Sequence, residues 1–211
     1  MEDEIRKALE VLRAGGTILY PTDTIWGIGC DATNEIAVER ILTIKKRATA
    51  APALKGENII DERSNTNSPS GVGGKSLIIL VSDDGMLNRF VKNIPALAWD
   101  LMDLTDTPLT IIYDGGRGLA KNVFAEDGSI GVRKVTDTFC HRLIHKFGKP
   151  VVSTSANISN EPAPKNYSEI MDEIKQSVDY VVNWKQDEWQ SSKASSIIKL
   201  KENGEIKIIR K

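Results

Sequence analysis

Thr22-Asp23-Thr24, Lys45-Lys46-Arg47 with Lys75, the Thr110 and Arg133 pair, and Ser153-Thr154-Ser155-Ala156-Asn157 have the residue types and spacing in this chain to do chemistry. Hydroxyls, an amide and backbone N–H groups at a strand-to-loop turn bind carboxylate or phosphate oxygens. Arg adds a planar two-pronged grip and Lys a point charge. Together these residues describe a site for anions. The chemistry is narrowed further by what is missing: the chain has no GxxxxGK[ST] phosphate loop, no GxGxxG, no HExxH and no Cys/His set spaced for a metal. Only two histidines, His141 and His145, are present. Their i, i+4 spacing within a predicted helix suits surface or partly buried positions, and a Ser-His-Asp hydrolase is excluded as the main reading.

The elements that must carry these residues follow from periodicity. Ile5, Ala8, Leu9 and Leu12 give an amphipathic helix over 3–14, stopped by Gly15-Gly16. A strand over 17–20 then runs into the polar loop PTDTIWGIGCD. Asn34 caps a second helix whose Ile36, Ala37, Ile41 and Ile44 face the core and whose last turn is Lys45-Lys46-Arg47. Further strands are expected over 76–81, 109–113, 129–133, 150–155 and 180–183, and a closing pair over 196–200 and 205–209 turns at Asn203-Gly204. Helices are expected over 86–91, 95–104, 137–147 and 168–176. Strands and helices interleave without a repeat, so the fold class is α/β: a single-domain open twisted mixed sheet with helices on its faces. Residues 48–74 break the pattern, with little periodicity and a Ser/Asn/Pro/Gly-rich second half, and read as a flexible insertion into one domain spanning 1–211. A short helix around 50–60 is the one element the segment suggests.

Lys plus Arg is 28 and Asp plus Glu is 29, a net charge of -1. That balance argues against a non-catalytic RNA-binding or regulatory module, which needs a basic excess, and confines any tRNA contact to a local patch. Cys30 and Cys140 fit neither a disulfide framework nor a zinc site and read as buried thiols in a cytoplasmic protein. No apolar run approaches the length needed to span a bilayer.

The order of motifs, YPTDT, WGIGCDA, KKR, K-S-LIILV, TPLTII, GVR, STSANIS, SSIIKL and an Arg near the end, resembles the YrdC/TsaC family of threonylcarbamoyl-adenylate synthases. The resemblance implies a YrdC-like fold with a positively lined cavity, and a nucleotidyltransferase that combines L-threonine, bicarbonate and ATP. The products are threonylcarbamoyl-AMP, used by downstream proteins that transfer the group to tRNA, and pyrophosphate. Carried onto matching positions, it gives Lys45, Arg47 and Lys75 to the triphosphate, with Thr110 and the Ser153, Ser155 and Asn157 turn adding hydrogen bonds. Arg133 orients threonine or phosphate, Thr22 and Thr24 lie near the amino acid, Trp26 closes the wall, and Ser195 and Arg210 complete the substrate site. Mg²⁺ is implied on the ATP phosphates. Asp23 reads either as a carboxylate for that ion or as a turn-stabilising residue. Each residue also has a plain structural reading: Thr110 as strand packing, Lys75 as the polar flank of a buried strand, Lys46 as a solvated helix-end charge. A carbamoyl-adenylate-forming relative used in metallocentre maturation is the nearest enzymatic alternative. The chain departs from the family pattern at Trp26, at Asp106-Thr107-Pro108, at Ser159-Asn160 and at Ser195-Ser196, and carries about 25 extra residues after Arg47.

Overall fold

The computed structural model describes residues 1–47, 77–159, 161–188 and 194–211. The expected insertion over 48–74, the short helix within it, Lys75, Asn160 and the side chains of Lys46 and Arg47 lie outside the described residues. The described chain runs α1 (Glu2–Arg13), β1 (Ile18–Tyr20), β2 (Gly27–Asp31), α2 (Glu35–Arg47), β3 (Ile78–Val81), α3 (Asp84–Phe90), α4 (Ala96–Leu104), β4 (Leu109–Tyr113), β5 (Ile130–Lys134), α5 (Thr138–Phe147), β6 (Val151–Ser155), α6 (Asp172–Ser177), β7 (Tyr180–Val181), β8 (Ser196–Leu200) and β9 (Ile206–Arg210). The strands form one mixed sheet in the order β7-β1-β2-β6-β3-β5-β4-β8-β9.

Local chemistry accounts for the boundaries. Asn34 accepts hydrogen bonds from the N–H groups of Ile36 and Ala37, and Asp137 from that of Cys140, so both helices begin on side-chain caps. Gly148 closes α5 at φ +76°, a left-handed position that a Cβ would strain. α1 and α5 pack on each other and against β1, β2 and β3, α2 packs on β2, and α3 on β3 and β5, so the core is continuous from α1 to β8. Among the described residues no helix is long and apolar enough to cross a membrane.

Two expectations are corrected. Ile36 was expected on the core face of α2 but is 77 % exposed, whereas Val38 is fully buried; the stripe of α2 is set by Ala37, Val38 and Ile41, one position further round. Residues 27–31, expected as part of a polar loop, form a buried strand, paired to β1 on one side and β6 on the other. Its two glycines let the backbone enter the sheet where side chains would collide. A Cβ on Gly27 would sit 3.0 Å from Ser153 Oγ, and one on Gly29 would sit 2.6 Å from the Tyr20 ring.

Register decides which residues share a face. Gly27 pairs with Ser155, Gly29 with Ser153, Ser153 with Ile78, Ile78 with Gly131, and Thr110 with Ile197. These residues, with Arg133 two positions on from Gly131, lie on one side of the sheet; Ile28, Cys30, Val152, Ile79, Val132 and Ile111, all buried, lie on the other.

Candidate active site

A cavity of about 240 Å³ opens on the glycine-bearing side of the sheet, lined by Thr22, the Thr24 to Gly27 segment, Ile78, Arg133, the Ser153 to Ser155 strand end, and Ser195, Ile197 and Arg210. Small residues floor it. At Gly131 a Cβ would meet Ile78 Cγ2 at 3.1 Å, so this position and Gly27 keep the sheet surface bare under the cavity. A second cavity of about 670 Å³ shares Arg210 and Ala194 with it and is lined also by Asp23, Thr107, Pro108, Ser196 and Lys211.

The Pro-Thr-Asp-Thr loop is held by its own hydroxyls. Thr22 Oγ1 donates to the Ile25 carbonyl (2.7 Å) and accepts from the Thr24 N–H (3.1 Å), and the two hydroxyl oxygens lie 3.0 Å apart. Arg133 Nη1 donates to Thr24 Oγ1 at 3.2 Å, and its Nη2 lies 3.0 Å from Asp23 Oδ1. This ion pair is buried, with side chains 4 % and 6 % exposed. Burial pushes the Asp23 carboxyl above its ordinary value of 3.8 and Arg133 pulls it back, while the nearby Asp137 adds to the rise. Tyr20 and Cys140, both fully buried nearby, are also pushed upward by burial and are not ionised at neutral pH.

A second arginine network lies beside the first. Arg210 Nε and Nη2 donate to the Ser195 carbonyl at 2.9 and 2.8 Å, and the Ser195 hydroxyl meets Thr110 Oγ1 at 2.8 Å. Among the described residues Arg210 has no carboxylate partner, and burial together with the Arg133 charge lowers its pKa. The Ser153 to Asn157 turn is gripped from α2: Lys45 Nζ donates to the carbonyls of Ser155 (2.7 Å) and Asn157 (2.5 Å) and to Asn157 Oδ1 (2.9 Å). Ser155 Oγ also donates to Asn157 Oδ1.

Of the residues singled out in the sequence, Thr22, Thr24, Trp26, Arg133, Ser153, Ser155, Ser195 and Arg210 line one cavity. Thr110 lies behind Ser195, and Lys45 and Asn157 lie at the turn beside Ser155. Trp26 is fully buried, its ring 5.0 Å from that of Tyr167, and its Nε1 has no partner among the described residues. Sequence reasoning missed the glycine floor and the Asp23–Arg133 pair. The Gly-Ile-Gly-Cys alternation, read at period two, carries the first signal; the second joins residues 110 positions apart and has none. His141 and His145 are exposed and stack at 5.9 Å, and no group of three His, Cys, Asp or Glu side chains among the described residues is placed to hold a metal. Asp23, paired with Arg133, lines the adjoining cavity.

Fold and site together define an open α/β domain with a cationic, hydroxyl-rich cavity on one face of its sheet. The chain belongs to the Sua5/YciO/YrdC family, whose model, described as "Telomere recombination", matches residues 10–55 and 72–211. It is 29% identical over 185 residues to the threonylcarbamoyl-AMP synthase of Pseudoalteromonas translucida, covering 86% of each chain. It superposes on Escherichia coli YciO with a TM-score of 0.76 at 21% identity, covering 100% of this chain and 90% of that one. On P. abyssi Sua5 complexed with L-threonine the TM-score is 0.75 at 23% identity, covering 95% of this chain. This chain spans 52% of that Sua5.

Proposed function

We infer that this chain is an L-threonylcarbamoyladenylate synthase, forming threonylcarbamoyl-AMP and pyrophosphate from L-threonine, bicarbonate and ATP for threonylcarbamoyladenosine modification of tRNA. The observation that carries the reading is a cavity lined by two arginines and several hydroxyls whose nearest carboxylate, Asp23, is already paired with Arg133. Such a cavity has net positive charge to offer two anions at once, a carboxylate and a polyphosphate. The threonine-bound Sua5 and the synthase from Pseudoalteromonas support assigning those anions to an amino acid and a nucleotide.

The chemistry asks for positioning and charge neutralisation more than for a strong base. The threonine amine attacks bicarbonate carbon, giving the carbamate with loss of water. A carbamate oxygen then attacks the α-phosphorus, and the bond from that phosphorus to the bridging oxygen of the β-phosphate breaks, releasing pyrophosphate. Arg133 with Thr24 and Thr22 receives the threonine carboxylate, and Arg210 and Ser195 receive phosphate oxygens. Lys45, by holding the Ser155 to Asn157 turn, aims its hydroxyl and N–H groups at the nucleotide. Arg47 and Lys75 extend the phosphate grip. Mg²⁺ enters with ATP as part of the substrate, held by phosphate oxygens. Residues 1–211 act as one catalytic unit, and the family match, which leaves out residues 56–71, supports a passive insertion there.

The test is to incubate the protein with ATP, labelled bicarbonate and a panel of amino acids and follow pyrophosphate. Release should require both bicarbonate and L-threonine; release without either would sink the reading. Lys45→Ala should abolish product with the melting curve retained. Deletion of residues 50–72 should leave most of the activity.

A further inference from the structure

Arg133 has more structure behind it than an anion-binding arginine requires. Arg133 lines the smaller cavity, whereas Asp23, with which it pairs, lines the adjoining larger one, its side chain only 6 % exposed. Neither Asp23 oxygen makes a well-formed hydrogen bond among the described residues. The carboxylate's charged partner is the Arg133 guanidinium at 3.0 Å, and the backbone N–H groups of Asp23 and Thr136 face it more weakly. Burying a carboxylate is costly, and turn stabilisation does not explain it, since Thr22 and Thr24 already close the loop on themselves. The other guanidinium nitrogen donates to Thr24 Oγ1, so Asp23 and Thr24, neighbours in one loop, take the two terminal nitrogens of one planar group. Contacts at both terminal nitrogens oppose a flip of the guanidinium about Nε–Cζ.

We propose that Asp23 is the positioning residue of this site: it acts through Arg133, locking the guanidinium plane so that the edge facing the cavity is in place before an anion arrives. The proposal rests on the synthase reading only for the identity of the anion that Arg133 meets. Its cost is a weaker ground-state attraction, because Asp23 neutralises part of the Arg133 charge. Its gain is preorganisation, which acts in the transition state.

These two effects separate in kinetics. In Asp23→Asn, which keeps the shape and removes the charge, kcat of pyrophosphate release should fall about 100-fold. KM for threonine should not rise, and inorganic pyrophosphate should bind as tightly or tighter by calorimetry. A merely structural role would lower the folded fraction and leave kcat per folded molecule and KM together unchanged. Adding Asp23→Asn to Arg133→Lys should cost no more than about threefold beyond Arg133→Lys alone, since coupled residues are not additive. Full multiplication of the two losses, or Asp23→Asn with kcat near that of the unaltered protein, overturns the proposal. Nitrogen-15 side-chain NMR on the unaltered, ligand-free protein decides it without any variant. Separate, slowly exchanging Nη resonances are expected for Arg133, and a single averaged Nη signal overturns the proposal. If pyrophosphate release proves independent of threonine and bicarbonate, the function reading fails, and the NMR result still judges Asp23.

Discussion

Arg133 and Arg210 line the same cavity but are built in opposite ways. Arg133 is 3 % exposed, sits in a central strand and carries its own carboxylate. Arg210 sits in the outermost strand, donates to a backbone carbonyl and has no carboxylate among the described residues. One cation is satisfied before ligand arrives, and the other keeps its charge for the ligand. The contrast separates two tasks that anion sites usually merge. Orientation calls for a rigid, pre-paired group in the core, whereas affinity calls for an under-compensated charge that an incoming anion can neutralise.

The largest expected effect tests the first half of that contrast. Arg133→Ala should lower kcat/KM by at least about 10³-fold. By leaving Asp23 buried and unpaired, it should also cost about 3 kcal/mol of stability in a denaturant titration at neutral pH. Arg210→Ala should lower kcat/KM about tenfold, chiefly through KM for ATP, at a stability cost under about 1 kcal/mol. Equal stability losses in the two variants would break the comparison. Gly27→Ala puts a methyl 3.0 Å from Ser153 Oγ on the cavity floor. A stability loss of about 1 kcal/mol and a rise of a few-fold in KM are expected, because the methyl intrudes into the cavity. The smallest effect is a pH slope. Asp23 is an acid whose folded pKa is raised by burial and by Asp137 against the pull of Arg133. The folded protein therefore binds more protons than the unfolded chain, and this group's contribution to stability declines as pH rises from 3.8 through the raised value. Melting temperatures of the unaltered protein and Asp23→Asn, compared across that acid window, should diverge with the unaltered protein losing relative stability as pH rises. Arg210, which stays charged throughout, should add no slope when replaced by Lys.

The sequence showed the elements that have local causes. Caps at Asn34 and Asp137 and the apolar run Ile78 to Val81 are written in adjacent residues, and the structure has α2, α5 and β3 there. Asn203-Gly204 likewise turns β8 into β9, with Gly204 at φ +85°. β2 was hidden because its glycines lower strand propensity, Gly27 lining the cavity and Gly29 leaving room for the Tyr20 ring. Ile36 was misplaced because an apolar residue one step off the buried stripe has the same local pattern as one on it. The grouping of Thr24, Arg133, Ser153 and Arg210 around one cavity depends on strand order, which local pattern does not encode; the family resemblance supplied it. The Asp23–Arg133 pair was legible in neither way, since a buried charge pair leaves no periodicity.

Arg210 also ties the site to the least protected ladder of the sheet. β9 is hydrogen-bonded to β8 alone among the described strands, and all five of its residues are exposed, Ile208 by 58 %. Local opening is easiest at such an edge. Opening of this one peripheral strand would take Arg210 away from the cavity, so amide exchange along Ile206–Arg210 should report on the integrity of the cavity as directly as on folding.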